Sequence, residues 1–583
     1  MNTFTWKIGW GISNRCNMRC RFCYSRKARR EPNYEQMIQK GLKFILHNKD
    51  RIDSINFGTG EPTVEQELFS LCDAIRREAP HISIGITTNG TLAEAVKDPY
   101  CLEVFKSCID DVDISLDYGS PDEQDQSRNY KGAFDLAVRT LALCREYGKN
   151  ASIVNALHKY NGTVENIDAL MRLARLYGTS LRINIYRPTT DFDFVLSYER
   201  LKEILIHLIH NYEIESLADP LFASLFHAPC EAGDPVARSS FRIIPNGYIT
   251  PSTYLLEQDW RTCRIDEVEN IDDLHQYDSF RSILNAPLPE SCRDCPLKDQ
   301  CLGGVIDRRW LWYHDLSEND PYCPLRNDGD LDWTVLSGEP VFSAEKKSFV
   351  HDGYLPTLIF GPNIRPETRN RWDEIYLEDN PNFNSSEPEE TAVKLGEYLP
   401  EQAKILDLGS GLGRNGLYYL KKGNEVTFAD GSRIANDRLL KNILETVPSS
   451  HYRVVDTSLA KALKSFENNS LDGILAIHVI SHGSPEEIRK DYIGEMNRIL
   501  KPGGVSALTL PSLNDGRCQG HPAENGLISF PFESGSEKGI VHTFCSEDAV
   551  KEMFRDFEIL DMHEVHWENG DAHWHLIVRK SAC

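Results

Sequence analysis

The chain has 583 residues and a formal net charge of −24, with 40% apolar and 26% charged side chains. This composition is typical of a soluble globular protein with more than one domain. The acidic balance argues against general nucleic-acid binding, which depends on neutralising phosphates with Lys and Arg. No apolar run approaches the roughly 18 residues of a membrane span, and residues 1–10 contain no signal-peptide core, so we expect a cytoplasmic protein without membrane contact.

The first part of the chain alternates between apolar runs and amphipathic helices. The runs predict strands at 5–12, 52–57, 82–88, 112–116, 152–157 and 181–186, and the periodicity predicts helices such as 64–79, 132–147 and 164–177. Repeated β–α units of this kind predict a parallel sheet or barrel in an α/β fold. Because ligands of such folds bind at the carboxyl ends of the strands, we expect the site residues there.

The pattern changes after residue 190. Residues 190–225 are expected to be mainly helical, the cysteine-containing stretch 230–323 is turn-rich, and the stretch 325–370 is expected to be a connector with a hairpin near 348–360. A second α/β pattern begins near residue 403. We therefore predict a barrel domain at 1–225, a small cysteine-rich domain at 226–328, a connector at 329–370 and an α/β domain at 371–583.

Seven of the 16 cysteines fall in tight clusters, a spacing that indicates metal ligands rather than disulfides in a reducing compartment. The first cluster, Cys16, Cys20 and Cys23, directly follows the first predicted strand. Three thiolates in one loop can hold a four-iron cluster and leave one iron open for a cofactor or substrate. A zinc knuckle is the alternative for this cluster.

The spacing C-x3-C-x2-C, with Phe22 just before the last cysteine, resembles the radical S-adenosylmethionine (radical SAM) superfamily. The resemblance implies a partial (βα)6 TIM-like barrel in which Cys16, Cys20 and Cys23 hold a [4Fe-4S] cluster. In that family the open iron binds S-adenosylmethionine. One electron, from a donor such as flavodoxin or ferredoxin, then cleaves it to methionine and a 5′-deoxyadenosyl radical. The resemblance also places Phe22 near the adenine.

Further matches to the family follow at the ends of the later strands, in the same order. Gly58-Thr59-Gly60-Glu61-Pro62 resembles the family's GGEP segment, although Thr59 replaces its first glycine. The resemblance covers about residues 5–225. It implies cofactor contacts from Gly60, Glu61, Asn89, Ser115, Asp117, Arg128 and Asn155. Each match taken alone is also explained by turn chemistry.

The second cysteine cluster has the spacing C-x2-C-x5-C with a late fourth cysteine, and it resembles the SPASM/twitch extension of radical SAM enzymes. The resemblance implies one auxiliary [4Fe-4S] cluster with four protein ligands, Cys292, Cys295, Cys301 and Cys323. Ser252 and Val305 stand where the full pattern has cysteines, so we expect the inner auxiliary cluster to be absent. Cys230 and Cys263 have no assigned role. A structural zinc site is the alternative, because four thiolates suit zinc equally well.

In the C-terminal α/β pattern, an apolar strand near 405–408 runs into a glycine-rich turn and a helix start. Asp430 follows about twenty residues later, where a carboxylate can accept ribose hydroxyls. These features resemble class I S-adenosylmethionine methyltransferases over about residues 370–583, in the branch related to tellurite-resistance proteins; an NAD-binding domain is the alternative. The resemblance implies a Rossmann-like fold and a second S-adenosylmethionine site at Asp407, Gly409, Gly411, Gly413, Asp430 and Asp456.

Three histidines, His478, His482 and His542, are candidates to act on the methyl acceptor, since a histidine can serve as a base. His482, just after the fourth strand of this domain, is the preferred catalytic residue. A histidine in an apolar strand is, however, more often a hydrogen-bonded core residue. The His- and Trp-rich stretch 563–575 is expected to form a packed final strand pair.

Together the motifs predict a bifunctional enzyme. One hypothesis is a maturase that abstracts hydrogen from an unactivated carbon of a ribosomally made peptide, after which the C-terminal domain methylates the product. The second is the same chemistry on a small metabolite such as a sugar, nucleoside or amino acid, which fits the expected lack of an extra N-terminal peptide-binding domain. A non-catalytic redox or structural protein is the third hypothesis, and the intact motifs argue against it.

Overall fold

The computed structural model describes residues 5–27, 34–189, 191–228, 233–344, 349–350, 354–378, 385–447 and 451–581. The chain divides into two compact units, Met1–Thr368 and Arg369–Cys583. Within the described ranges, no helix has the length and apolar character needed to cross a bilayer. Cys230 lies outside the described residues.

The first unit is built on one ten-stranded sheet. Its strands are β1 (Trp6–Trp10), β2 (Ile52–Phe57), β3 (Ser83–Thr88), β4 (Asp111–Ser115), β5 (Asn150–Leu157), β6 (Ser180–Ile185), β7 (Tyr212–Leu217), β8 (Ser240–Ile243), β9 (Ile249–Thr250) and β10 (Leu358–Ile364). Their order is β7-β10-β6-β5-β4-β3-β2-β1-β8-β9, and β1 to β6 pair in parallel. The predicted run of six parallel strands is confirmed, with ends within two residues of the expected ones.

Helices connect these strands. They are α1 (Tyr34–His47), α2 (Glu67–Glu78), α3 (Leu92–Ala95), α4 (Pro99–Cys108), α5 (Pro121–Arg128), α6 (Ala133–Glu146), α7 (Val164–Tyr177), α8 (Tyr198–Asn211), α9 (Pro220–Leu225), α10 (Asp278–Leu284), α11 (Lys298–Cys301), α12 (Ile306–Tyr313), α13 (Pro324–Asn327) and α14 (Thr334–Ser337). In α7, Thr163 Oγ1 caps the first turn by accepting from Asn166 N, and Gly178 ends the helix at φ 66°. Its buried side chains recur at helical spacing, at Ile167, Leu170, Met171 and Ala174.

Two features of residues 190–370 differ from the sequence-based expectations. The stretch expected to be mainly helical contains strand β7 between α8 and α9. Strand β10 falls where we expected a local hairpin near 348–360, but it pairs antiparallel with β6 and β7 of the main sheet. The reason is burial on both faces: Leu358, Ile359 and Phe360 are consecutive apolar residues with at most 1% exposure, as expected of a strand enclosed within a sheet.

The second unit contains a seven-stranded sheet and a separate hairpin. Its strands are β11 (Lys404–Leu408), β12 (Glu425–Asp430), β13 (Tyr452–Asp456), β14 (Leu471–Ala476), β15 (Leu500–Pro511), β16 (Leu527–Pro531), β17 (Val541–Cys545), β18 (Phe557–His566) and β19 (Ala572–Lys580). Its helices are α15 (Arg371–Leu377), α16 (Glu390–Lys394), α17 (Arg414–Leu420), α18 (Arg433–Thr446), α19 (Leu459–Lys464), α20 (Pro485–Glu487), α21 (Glu495–Ile499) and α22 (Glu547–Met553). A π-helical turn joins α20 to α21.

The sheet order of the second unit is β13-β12-β11-β14-β15-β19-β18, in which β11 to β15 pair in parallel. The order reverses between β11 and β14, which is the position where α/β sheets of this type bind ligands. The predicted Rossmann-like sheet is confirmed. The final strand pair is also confirmed: β18 and β19 are antiparallel, with His563 opposite His575.

Candidate active sites

A cavity of about 170 Å³ lies at the carboxyl ends of the parallel strands of the first unit. Strands β1 to β6 all end at this edge of the sheet, so residues far apart in the sequence meet there. Nine of the predicted site residues line the cavity: Cys16, Cys20, Phe22, Cys23, Gly60, Asn89, Ser115, Asp117 and Arg128.

The three clustered thiols line this cavity, and two of them, Cys16 and Cys20, receive N–H donors from its wall. Asn89 Nδ2 lies 3.7 Å from Cys16 Sγ, and Arg128 Nη1 lies 3.6 Å from Cys20 Sγ. Burial raises the pKa of the Cys16 thiol to about 11 and also raises the pKa of Cys20. Burial thus favours the protonated thiols, and binding of a metal would release those protons. Three thiols, two of them with adjacent N–H donors, fit a four-iron cluster that has one iron free of protein ligands.

The glycine-rich turn after β2 packs directly against the chain that enters the cysteine loop. Gly60 has φ 62°, and its Cβ, if present, would overlap Arg15 O and lie 2.9 Å from the carbonyl carbon of Asn14. Glu61 N also donates to Arg15 O at 2.8 Å. Only glycine fits this combination of a left-handed backbone and close backbone contact.

Two predicted residues support the cavity wall rather than forming it. The buried Glu61 accepts from Thr88 Oγ1 at 2.9 Å and from Asn89 N at 2.5 Å, and so ties the end of β2 to the end of β3. Burial raises the pKa of Glu61 against the effect of these hydrogen bonds. Val154 and Ala156, the neighbours of Asn155 in β5, line the cavity, but Asn155 does not. Its Nδ2 instead donates to Asp117 O at 3.0 Å.

A buried ion pair crosses the wall, with Arg128 Nη2 2.5 Å from Asp117 Oδ2. Burial raises the pKa of Asp117, while the charge of Arg128 and a hydrogen bond from Ala156 N oppose that rise. The Arg128 guanidinium also lies 5.6 Å from the centre of the Phe22 ring. The Asp117–Arg128 pair therefore fixes the Phe22 ring, which is predicted to contact the adenine. Arg128 also contacts the Cys20 thiol of the cysteine loop.

Three buried arginines in the same wall were missed as site residues by the sequence reasoning. Arg182 lies 2.6 Å from Asp113, and Arg187 lies 2.9 Å from Asp307, so each of the two has a carboxylate partner. Arg242 is the third. For Arg182 and Arg242 the available signal was an arginine inside a buried strand, β6 or β8, where a charge is costly unless it has a partner.

Arg242 is only 2% exposed, and its hydrogen-bond partners are hydroxyl groups. It donates to Tyr354 OH at 3.1 Å, to Thr253 Oγ1 at 3.5 Å and to Thr59 Oγ1. Among the residues that the structure describes, no carboxylate forms an ion pair with it. A buried guanidinium of this kind can bind a carboxylate of a ligand in the cavity.

The second cysteine set also converges. Its four thiols, Cys292, Cys295, Cys301 and Cys323, line one enclosed cavity of about 20 Å³. Four thiols fit a fully ligated iron–sulfur cluster or a zinc ion equally well. At the positions where cysteine is missing, Ser252 Oγ donates to Asp307 at 3.0 Å and Val305 is fully buried. Cys263 is a buried thiol whose pKa is raised to about 11 by burial.

In the second unit, carboxylates hold the glycine-rich turn after β11. Asp430, at the end of β12, accepts from Gly411 N at 2.9 Å and from Ser432 N at 2.8 Å. Asp407 accepts from Gly416 N at 2.9 Å. Burial raises the pKa of Asp430 to about 6 and that of Asp407 to about 7. The two predicted carboxylates therefore lie at the same turn, at the point where the sheet order reverses.

The glycines of this turn, Gly409, Gly411 and Gly413, all have left-handed φ values, of 66°, 52° and 82°. A Cβ on Gly411 would lie 2.6 Å from Tyr376 OH. Asp456, at the end of β13, accepts from Asn436 Nδ2 at 2.7 Å. The turn thus has the close backbone approach that a nucleotide-like ligand requires.

His482, the preferred catalytic residue, lies in the loop after β14 and packs against Trp372, with ring centroids 5.1 Å apart. Its Nε2 is 3.9 Å from Glu537, and His542 Nε2 is 3.5 Å from the same carboxylate. Burial lowers the pKa of His482 to about 4 and that of His542 to about 3. Glu537 was missed by the sequence reasoning because no motif points to it.

His478, the third candidate, belongs to a different cluster. Its Nε2 lies 3.4 Å from Glu389, and its Nδ1 lies 3.1 Å from His573 Nδ1. Glu389 is held by Arg414 at 2.9 Å, and the hydrogen bond with His478 lowers the pKa of Glu389 to about 2. The structure therefore brings His482 and His542 together and places His478 with other partners.

Comparison with known proteins agrees with both sites. Residues 10–176 match the radical SAM superfamily, and residues 405–504 match a methyltransferase domain. The chain is a radical SAM enzyme with a fused methyltransferase domain. The first match contains the cysteine loop and the turn at Gly60, and the second contains the turn at Gly411 and Asp430.

Relatives of this radical SAM enzyme include mycofactocin maturase MftC from Mycolicibacterium smegmatis, which is 27% identical over 336 residues, 54% of this chain and 82% of MftC. Fe-coproporphyrin III synthase from Methanosarcina barkeri is 34% identical over 168 residues, 28% of this chain and 40% of that protein. Among solved structures, Streptococcus suis SuiB bound to S-adenosylmethionine is 18% identical with a TM-score of 0.44, over 55% of this chain and 77% of SuiB.

Proposed function

We propose that this radical SAM enzyme is a bifunctional maturase that modifies an unactivated carbon of a peptide and methylates the product in its second domain. The observation that carries the proposal is the convergence of Cys16, Cys20 and Cys23 on one cavity. It is supported by 336 aligned residues shared with a protein named a maturase. The buried wall of the cavity would protect a reactive radical from water.

Each part of the cavity has a role in this proposal. The [4Fe-4S] cluster that the three cysteines would hold would supply the electron for reductive cleavage of S-adenosylmethionine. Phe22 would pack on the adenine, and the Asp117–Arg128 pair would hold the Phe22 ring in place. Arg242 binds a carboxylate of the cofactor or the substrate, because its buried charge has only hydroxyl partners among the described residues.

We further propose that Cys292, Cys295, Cys301 and Cys323 hold one auxiliary [4Fe-4S] cluster, which would accept the electron released when the substrate radical is oxidised. The convergence of four thiols on one cavity supports full ligation by protein. A flavodoxin or ferredoxin in a reducing cytoplasm would supply the electrons that the first cluster consumes.

In the second domain, we propose that S-adenosylmethionine binds at the glycine-rich turn 409–413. Asp430 would accept the ribose hydroxyls and Asp456 would contact the adenine amine. Asp407 ties β11 to the first turn of α17 through its hydrogen bond from Gly416 N. His482 acts at the methyl acceptor. It packs against Trp372, and Trp372 lies close to Gly431, directly after β12 and the proposed ribose contact Asp430.

A small metabolite is the second candidate substrate. The observation in its favour is the match to Fe-coproporphyrin III synthase, which has a higher identity than MftC over a shorter region. The radical chemistry and the cofactor site would be the same in both cases.

The experiment that separates the two substrates is deuterium transfer. The reconstituted chain is incubated with S-adenosylmethionine, dithionite and side-chain-deuterated candidate precursor peptides, and the 5′-deoxyadenosine is analysed by mass spectrometry. Deuterium in 5′-deoxyadenosine, together with a modified peptide, is the expected result. Peptide that stays unchanged, while a deuterated metabolite transfers its label, would replace the first substrate class with the second. The Cys20→Ala variant is the control without radical formation.

A further inference from the structure

Three side chains of the second unit, His482, Glu537 and His542, bring together two imidazoles and a carboxylate. Their potential ligand atoms all lie within 4.8 Å of one another. His482 follows β14, His542 is on β17, and Glu537 is in the turn between β16 and β17. Three separate segments therefore meet at one point, and no single segment of the sequence contains the group.

The backbone holds the two histidines opposite each other. His482 and His542 form an antiparallel bridge, and their ring centroids are 4.8 Å apart. On either side of that bridge, Gly483 N donates to Val541 O at 3.2 Å and Thr543 N donates to Ser481 O at 3.0 Å. A site whose side chains are fixed by backbone pairing in this way needs little reorganisation to bind a ligand.

His542 is the most informative member of the group. It is 4% exposed and stacks on Phe532 with centroids 3.8 Å apart, yet its Nε2 makes no hydrogen bond within the described part of the chain. A buried ring nitrogen in such a position normally has a partner. The nitrogen points to Glu537, whose nearest oxygen is 3.5 Å away.

We propose that His482, Glu537 and His542 form a binding site for a divalent transition-metal ion such as Zn²⁺. Two imidazoles and one glutamate make a common ligand set of zinc, with a fourth position left open. Tetrahedral bonds of roughly 2.0–2.1 Å place ligand atoms about 3.3 Å apart. Glu537 Oε2 lies 3.5 Å from His542 Nε2, and Glu537 Oε1 lies 3.9 Å from His482 Nε2, so the side chains would have to close by a few tenths of an ångström to reach this spacing.

The position of this metal site relates it to methyl transfer. Trp372 packs on His482 and lies 3.9 Å from where a Cβ of Gly431 would be, directly after Asp430. An acceptor bound at the open metal position would therefore stand beside the proposed S-adenosylmethionine site, with His482 acting as a ligand and not as a free base. This link to the acceptor rests on the proposed function; the metal site does not.

The test is zinc binding to the reconstituted full chain, read without turnover. Zinc per chain is counted after dialysis against Zn²⁺, and zinc-edge X-ray absorption distinguishes nitrogen and oxygen ligands at about 2.0–2.1 Å from sulfur ligands at about 2.3 Å. We expect one zinc with a nitrogen/oxygen shell. Zinc that has only a sulfur shell would overturn the proposal, because it would reside at the cysteine sets.

Variants locate the ion. His542→Ala and the isosteric Glu537→Gln should each lower the affinity for the nitrogen/oxygen-bound zinc by roughly tenfold or more. Loss of a residue that only hydrogen-bonds to a zinc ligand already lowers metal affinity by about that much. His566→Ala removes an exposed histidine of β18 and should leave zinc binding unchanged. Binding of S-adenosylhomocysteine by Glu537→Gln checks that the domain is folded. Zinc bound equally by wild type, His542→Ala and Glu537→Gln would show that the ion is held elsewhere.

Discussion

Replacing Gly60 with alanine should damage the radical site through the backbone of the cysteine loop. The added Cβ would lie 2.9 Å from the Asn14 carbonyl carbon and 3.0 Å from Ser13 O, and it would overlap Arg15 O. To restore ordinary separations, the backbone of residues 13–15, which leads into Cys16, must move by about 0.5–1 Å. A shift of about 1 Å in a reacting group can cost about 100-fold in rate, which is the loss we expect in 5′-deoxyadenosine formation.

Gly148 provides the matched control. Its φ of 60° is nearly that of Gly60, but a Cβ there meets no atom within 4 Å. Both alanine variants bear the left-handed backbone cost of about 1–2 kcal/mol, so their difference isolates the contact with the cysteine loop. Dithionite-driven 5′-deoxyadenosine formation is measured for both variants after reconstitution. Equal rates in Gly60→Ala and Gly148→Ala would refute the reasoning.

Three further variants test other parts of the account. Cys20→Ala should abolish 5′-deoxyadenosine formation and leave the methyltransferase domain able to bind S-adenosylhomocysteine, which titration calorimetry measures. Cys101→Ser in α4 is the control. Loss of both 5′-deoxyadenosine formation and S-adenosylhomocysteine binding in Cys20→Ala would contradict two separate cofactor sites. Cys295→Ala should lower the iron content from about eight to about four per chain and preserve 5′-deoxyadenosine formation. Unchanged iron would make the second cysteine set a zinc site or no metal site. Asp407→Asn should stabilise the second unit at pH 8 by about 4 kcal/mol and have little effect near pH 4. The pKa of Asp407 rises from 3.8 to about 7 on folding, so the folded state keeps a proton that the unfolded state loses, and stability falls as pH rises across that window. Urea unfolding at both pH values measures this, and an equal effect at both would show that burial of the ionised group is not the cause.

The radical site could be predicted largely from the sequence because its residues follow strands whose order is read directly from hydrophobic runs. Cys16, Gly60 and Asn89 each come at the end of a parallel strand, and such ends meet at one edge of the sheet. Asn155 shows where this reasoning is weaker. The strand that contains Asn155 was predicted correctly. Successive side chains of a strand point to opposite faces, however, and Asn155 points away from the cavity and towards Asp117 O.

The residues that were missed depend on tertiary pairing. Arg242 reaches the cavity only because β8 pairs with β1, more than 200 residues away along the chain, and no local pattern indicates that pairing. Glu537 lies in a hairpin turn, and it meets His482 only through the bridge between the loop after β14 and β17. Strand β10 was misjudged for the same reason, since its partners β6 and β7 lie far earlier in the chain.

We propose that two sets of cysteines hold iron–sulfur clusters and that the first of these clusters drives radical formation. The most direct test is to purify the chain without oxygen, reconstitute it, and measure iron, sulfide and dithionite-driven 5′-deoxyadenosine in one preparation. We predict about eight irons per chain and 5′-deoxyadenosine formation that disappears in Cys20→Ala. A chain that binds no iron and forms no 5′-deoxyadenosine under these conditions would contradict the account and leave only the methyltransferase domain as a source of activity.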